Sequence, residues 1–427
     1  MIRDWLLVGS LVIVAGCMKQ SATYCADHGA EDPVHCPGGE EACTSSSDCT
    51  DLPGMLVCNT STGSCVQCNA ASMETTACTG AMPVCGTDDA CRRCSSHTEC
   101  ESGACLPDGS CGLAADVAYV DGALGAGTEC TQAAPCDKVA RALAVVPPRS
   151  YVKISGQVVE AVRITDRDVT LLAATGAQLT STTNDNILLE VTGTSDVMVY
   201  DLQIGDGNAR TYGVRLDTTP TGSLGLHRVR ISDNFNGGIS VIGGQLTVLA
   251  STIADNAKGG IVVRSTAGKF DIRNNVIFAN GSGTGTNATL YGGVLIENNV
   301  ASKLEFNTVA FNESTGVQNH AGIACYGMSN SANGNLVYGN RDAGGGPDTA
   351  KQIDGDCLLG TSYALGAGDL GFKNPSTSTP DFHLTATSPP TVVDAGGACE
   401  ASNNVDIDGQ TRAYGAACDI GADELTP

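Results

Sequence analysis

The stretches VRISDNFNGGISVI (residues 229–242) and STIADNAKGGIVVR (residues 251–264) decide how this chain folds. Set one over the other, they place an apolar residue, Ile231 or Ile253, three positions before an asparagine, Asn234 or Asn256, and then a Gly-Gly pair before a short apolar run. The frame continues with Ile277, Val309 and Val337 ahead of Asn280, Asn312 and Asn340, so the asparagines recur at intervals of 22, 24, 32 and 28 residues. Repeats of that length predict a solenoid, in which each unit buries its apolar face only by stacking on its neighbours. Past each turn, Ile239, Ile261, Val294 and Ile323 form one row, and Val241, Val263, Ile296 and Cys325 a second row two residues on. Side chains two apart on a strand share a face, so both rows are expected to point inward. An asparagine held at one turn position has a physical use, because amides stacked in successive coils can hydrogen-bond along the axis. The glycine pairs 237–238, 259–260 and 292–293 permit the tight or positive-φ turn beside it.

This pattern resembles the right-handed parallel β-helix of the pectate lyases and their relatives. The resemblance implies a mainly β fold class: a right-handed parallel β-helix solenoid preceded by a small disulfide-rich segment. The stretch AYVDGALGAGTECTQAAPCDKVARALAVV (residues 118–146) is similar to the usual opening of that family, with a Tyr-Val-Asp strand, a Gly-rich loop and a short helix. That helix, expected over about residues 137–145, would cover apolar edges at the N-terminal end of the stack. Cys130 and Cys136 are near enough in sequence to pin the loop before it.

At the other end, VVDAGGACEASNNVDIDGQTRAYGAACDIGADE (residues 392–424) resembles the closing motif of the choice-of-anchor Q family. Its D-x-G, D-x-D-G-x-x-R and D-I-G-A-x-E elements carry over as Asp394, Gly396, Asp406, Asp408, Gly409, Arg412, Asp419, Ile420, Gly421, Ala422 and Glu424. Members of that family are β-helical surface proteins, which implies a surface role. Pairing Cys399 with Cys418 and Cys325 with Cys357 would complete the cysteine pairs, the second by neighbourhood alone.

The chain carries 46 acidic and 23 basic residues, a formal charge of −23, which excludes a nucleic-acid role because phosphate backbones are held by clustered Lys and Arg. Direct capture of polyanions would need a bridging divalent cation. The first residues read as an export signal: Arg3, then the apolar run from Trp5 to Val14, then Val14-Ala15-Gly16-Cys17. The V-A-G-C stretch resembles a bacterial lipobox, which implies a signal peptide over 1–16, a lipid on Cys17 and, with Met18 rather than Asp following, the outer membrane. An ordinary secretory peptide is the alternative. Of the 21 cysteines, Cys17 is then the unpaired one.

Fourteen cysteines lie between Cys25 and Cys111, ending in three four-cysteine units that begin at Cys43, Cys68 and Cys94. Segments of about 25 residues cannot bury enough apolar surface to fold alone, so disulfides are expected, in preference to zinc at the CVQC and CRRC pairs. The units resemble cysteine-rich modules of bacterial surface lipoproteins. The expected organisation is signal peptide 1–16, disulfide-stapled stalk 17–112, β-helix with N-terminal cap 113–340, and C-terminal cap 341–427.

Several residue sets bear chemistry. Asn404, Asp406 and Asp408 with Gly409 have the oxygen spacing of a calcium loop, without an acidic residue at its twelfth position; the other reading is a structural turn in which Arg412 pairs with an aspartate. Asp233 and Asp255 fall on adjacent coils, about 4.8 Å apart in a regular stack, a separation suited to paired-carboxylate glycoside hydrolysis. The row continues with Ala279 and Phe311, however, and turn aspartates commonly bond local backbone. His320 has a weak likeness to the histidine turn of polygalacturonases. Arg264, Glu297 and Tyr326 share an outward row, a candidate sugar-contacting stripe, and the insertions 281–291 and 313–320 interrupt the repeat where binding faces often form. The functional expectation is a non-catalytic module, lipid-anchored in the outer membrane at the cell surface, that binds polysaccharide or another cell's surface. The alternative is a polysaccharide lyase or glycoside hydrolase, and calcium is the one cofactor implied.

Overall fold

The computed structural model describes residues 43–426 apart from 51–53, 72–77, 183–186, 206–211, 283–290, 299, 301, 316–319, 327–331, 343–351, 358–359, 377–379, 400–403 and 413. Cys17, the export signal, Cys25, Cys36 and most of the two insertions lie outside the described residues. The chain divides into two compact units, residues 1–100 with 107–111 and residues 101–106 with 112–427.

In the smaller unit, short antiparallel ladders such as Val57–Asn59 with Ser64–Val66 offer little to bury besides sulfur. Cys43 bonds Cys58 and Cys49 bonds Cys65. Cys68 bonds Cys85 and Cys78 bonds Cys91, so both units join first cysteine to third and second to fourth. Cys100–Cys111 is the second-to-fourth bridge of the third unit.

The larger unit is a right-handed parallel β-helix. Each coil contributes one strand to each of three parallel sheets of 8, 8 and 9 strands. One coil runs through Ser223–His227 in the first sheet, Arg230–Ser232 in the third and Gly237–Gly243 in the second. The inward rows read from the alternation are in register, Ile239 on Ile261 on Val294 on Ile323, and all of them are buried. Gly259 sits at φ +110°, and a Cβ there would lie 2.4 Å from the Tyr291 ring.

The asparagines form the expected ladder. Asn234, Asn256, Asn280 and Asn312 each donate from Nδ2 to Oδ1 of the next at 2.9 Å, and Asn340 closes the series on Gln352 at 2.8 Å. A second ladder runs from the Ser251 backbone through Asn275 and Asn307 to Asn335, with amide contacts of 2.9 Å. Its offsets of 24, 32 and 28 residues repeat those of the first ladder, a signal present in the sequence.

The N-terminal helix is shorter than the expected 137–145. It spans Val139–Leu143, because Lys138 is extended and Pro147 follows closely. Val139 and Ala142 join the core of the first coils, and Cys130 bonds Cys136 in the preceding loop.

The stack runs past residue 340, since Ile353–Gly355 and Tyr363–Leu365 extend the second and third sheets. Cys325 bonds Cys357 in these last coils and Cys399 bonds Cys418 beyond them. The closing segment lies along the flank of the third sheet. Phe372, Phe382, Leu384, Val392 and Ile420 pack on Phe278, Ala310, Leu336 and Tyr338, whose side chains project outward from the stack. The acidic residues and Arg412 of this closing stretch tie it together. Asp419 accepts the Asp394 and Leu425 N–H groups at 2.6 and 2.7 Å, and Glu424 accepts those of Asp419 and Tyr414 at 2.9 and 3.1 Å. Arg412, buried, pairs with Glu424 at 3.6 Å rather than with an aspartate.

Candidate functional site

Because the closing segment covers only the later coils, a groove of about 1020 Å³ opens between it and the earlier coils of the third sheet. Part of its floor is one register row, Gln203, Arg230, Thr252 and Val276. Asp201 and Arg228 on the adjoining turn pair through two hydrogen bonds of 2.7 and 2.9 Å, and Arg230 approaches Asp255 at 3.9 Å. The opposite wall is Asp381, Phe382, His383, Asp408 and Asp423 of the closing segment.

The sequence candidates separate in space. Asp233 and Asp255 do occupy equivalent turns, at φ +62° and +56°, in a row continued by Ala279, Phe311 and Gly339 at +53°, +53° and +61°. Asp tolerates this left-handed geometry, so the backbone explains the pair. Burial, with Asp233 alongside, raises Asp255 while Arg230 opposes the shift. Asn404, Asp406 and Asp408 do not converge on one point. Asp406 is buried and its carboxylate accepts the backbone N–H groups of Asp408, Gln410 and Glu424, whereas Asp408 turns to His383 at 2.5 Å and Asn404 is exposed. The loop is thus built as a turn.

The outward stripe is internally paired. Arg264 meets both Glu297 oxygens at 3.0 and 3.1 Å, and the Tyr326 hydroxyl lies 2.6 Å from Nε2 of His320. His320 is buried, with Nδ1 2.5 Å from Asp354. Asp354 belongs to a later coil and was not among the sequence candidates, nor were Arg228, Arg230, Asp381, His383 or Asp423. Asp423 stands inside the D-I-G-A-x-E element, at its variable position.

His383 links two segments of the closing region. Its Nδ1 bonds the Asp381 carboxylate and its Nε2 bonds Asp408 at 2.5 Å. Burial opposes the ring's charge, but the two carboxylates outweigh it and raise its pKa from 6.5 to about 9. A folded-state value above the unfolded one contributes stability that is complete below pH 6.5 and is lost as pH rises through about 9. In metal-free buffer, the protection of residues 381–384 against hydrogen exchange, taken relative to the intrinsic amide rate at each pH, is therefore expected to fall over that range, and unchanged protection would remove His383 as the link. Asp423 acts in the same direction at lower pH, since burial pushes it up to about 6.

Among the described residues, His383, Asp408 and Asp423 are one set whose ligand atoms lie within 4.8 Å of one another. Three cysteine triples are similarly close, but their sulfurs are in disulfides and supply no thiolate.

A family model described as right handed beta helix region matches residues 151–309. Among solved structures, a crystal structure of pectate lyase Pel9A aligns at 15% identity and a TM-score of 0.45, covering 73% of this chain and 96% of that one. No curated protein matches the sequence.

Proposed function

We propose that this β-helix is a non-catalytic binding module for polysaccharide, carried at the outer-membrane surface by a lipid on Cys17. The groove beside the third sheet carries this reading. It is long and open, and it sets Gln203, Arg228, Arg230, Asp201 and Asp255 along successive coils. Planar amide, guanidinium and carboxylate groups repeated at strand spacing suit the repeated hydroxyls of a glycan. The V-A-G-C stretch and the anchor-like closing motif support display at the surface.

The test incubates the full-length protein with a panel of plant and bacterial polysaccharides, with and without calcium, and scores retention together with new reducing or unsaturated ends. The expected result is retention without new ends, weakened about tenfold or more by each of Arg228→Ala and Arg230→Ala, the usual cost of losing a charged hydrogen bond. Lipidation is read in the same preparation from the mass of the peptide beginning at Cys17. Absence of retention on every glycan would overturn the reading.

One arrangement favours the second reading, glycan cleavage. Tyr326, His320 and Asp354 form a hydroxyl–imidazole–carboxylate relay on a partly exposed face, the geometry used to move a proton. Burial and the neighbouring Asp354, Glu297 and Asp356 raise Tyr326, which suits it to donating a proton rather than accepting one. New ends lost in Tyr326→Phe would establish this activity.

A further inference from the structure

We infer that His383, Asp408 and Asp423 form a binding site for a divalent transition ion of the zinc class at the wall of the groove. The three side chains come from different parts of the closing segment: His383 from the strand Asp381–Leu384, Asp408 from the turn around Asp406, and Asp423 from the stretch after Ile420. Their ligand atoms already lie within 4.8 Å of one another.

Two further observations point to a metal rather than to an acidic surface. The first is the orientation of the ring. The Asp381 carboxylate accepts from Nδ1, which fixes the ring's orientation and aims Nε2 at Asp408. A carboxylate behind the non-ligating nitrogen is the usual support of a metal-bound histidine, raising ring basicity and preventing rotation. Asp381 is itself held by Lys373 at 3.1 Å, so it is anchored apart from the three ligands. The second is Asp423, which is only 6% exposed and yet lines the groove. Its Oδ2 accepts the Leu384 N–H at 2.6 Å, and no cationic side chain forms an ion pair with it among the described residues. A carboxylate buried to that extent calls for a positive charge nearby, which the protonated His383 ring supplies in the metal-free protein and an ion would supply once that proton has left.

The donor set selects the ion. One imidazole nitrogen with two carboxylates suits zinc and its neighbours, whereas calcium takes six to eight oxygens and gains little from an imidazole. Donors around one zinc stand about 3–3.5 Å apart given bonds near 2.0–2.2 Å. The Nε2–Asp408 contact, now 2.5 Å, would open by about 1 Å. Asp408 can supply that movement because its side chain is 41% exposed and lies on a turn. Three protein ligands leave a fourth position open to the groove for water or a ligand oxygen, as in open zinc sites. Binding exchanges the ring proton for the ion and releases that proton to solvent.

The site stands independently of glycan binding, whose test includes an arm without added metal. The test strips the full-length, non-reduced protein with a chelator and titrates it by calorimetry with zinc chloride and, in parallel, calcium chloride. Cobalt(II) absorption reports the ligand field. One equivalent of zinc is expected, together with a cobalt spectrum of low coordination number. His383→Gln and Asp408→Asn are expected to abolish both. Asp381→Asn keeps all three ligands and removes only the positioning group, so it is expected to weaken zinc by about 10- to 100-fold. Asp408 is exposed, so its replacement is expected to leave the protein folded with a metal-free thermal midpoint lowered by the lost His383 ion pair, which an unchanged circular dichroism spectrum and a cooperative melt verify. Absence of zinc binding, equal binding in Asp408→Asn, or saturation by calcium in place of zinc would each overturn the assignment.

Discussion

Arg412→Leu is expected to detach the closing segment from the flank of the stack and to cost about 3–5 kcal/mol, the range for removing one partner of a buried ion pair. The Arg412 and Glu424 side chains are 0% and 1% exposed and meet at 3.6 Å. The guanidinium also donates to Asn274 Oδ1 at 2.9 Å and to the Gly421 carbonyl at 2.8 Å, and lies 4.9 Å from the centre of the Phe306 ring. Asn274 and Phe306 belong to the coils, while Glu424 and Gly421 belong to the closing segment, so one side chain joins the two. Leucine fills part of the space but leaves a buried carboxylate with no cation. Urea denaturation should show the loss, and limited proteolysis should begin within residues 380–425 before the coils are cut. Arg412→Leu combined with Glu424→Leu should recover part of the stability, because an apolar pair carries no stranded charge. A loss below about 1 kcal/mol in the single variant would mean that the aromatic packing around Phe382 holds the segment unaided.

The second large effect is expected from Asn280→Ala. Asn280 Oδ1 accepts the backbone and side-chain N–H groups of Asn256 at 3.1 and 2.9 Å. Its Nδ2 donates to the Ile253 carbonyl and to Asn312 Oδ1, both at 2.9 Å. Truncation strands donors above and acceptors below in a fully buried column, where each unpaired group costs about 1–3 kcal/mol. A total of about 4 kcal/mol or more is expected, with local relaxation returning some of the sum. In a solenoid the damage concentrates in the altered coil and its neighbours, so hydrogen exchange should rise from about residue 252 to residue 312 and spare the first coils. Asn280→Asp tests the chemistry at constant shape. It accepts but cannot donate, and it should be nearly as harmful at neutral pH and less so in acid, where the protonated carboxyl donates once. Equal stability of all three proteins would make the ladder decorative.

The parts of the fold that were legible share one physical property: they repeat. Inward rows, ladder asparagines and turn glycines recur because every coil solves the same packing problem, so misreading one coil leaves the rest intact. The second ladder followed the same arithmetic and was hidden only because Asn274 and Asn275 are adjacent and Ser251 stands in the first place. The aspartates at positions 233 and 255 show the limit of that logic. Their recurrence was real, but it answered to a left-handed turn that Ala279 and Phe311 also adopt.

The candidate site was less legible. Asp255 and Asp408 were named for other chemistries, and nothing local distinguishes Arg228 or His383 from ordinary surface residues. His383 acquires its role from Asp408, 25 residues away, and the groove exists because residues after 370 pack on outward-facing Phe278 and Tyr338.

The sequence by itself determined the coil, its core and its turn chemistry, since side-chain alternation and turn spacing are properties of a few neighbouring residues. Only the tertiary structure decided that the closing segment lies along the third sheet, where it stops, and which charges line the gap it leaves. Those outcomes depend on apolar surfaces and a buried Arg412–Glu424 pair meeting across long sequence separations, and no local pattern encodes which flank of a uniform stack they will choose.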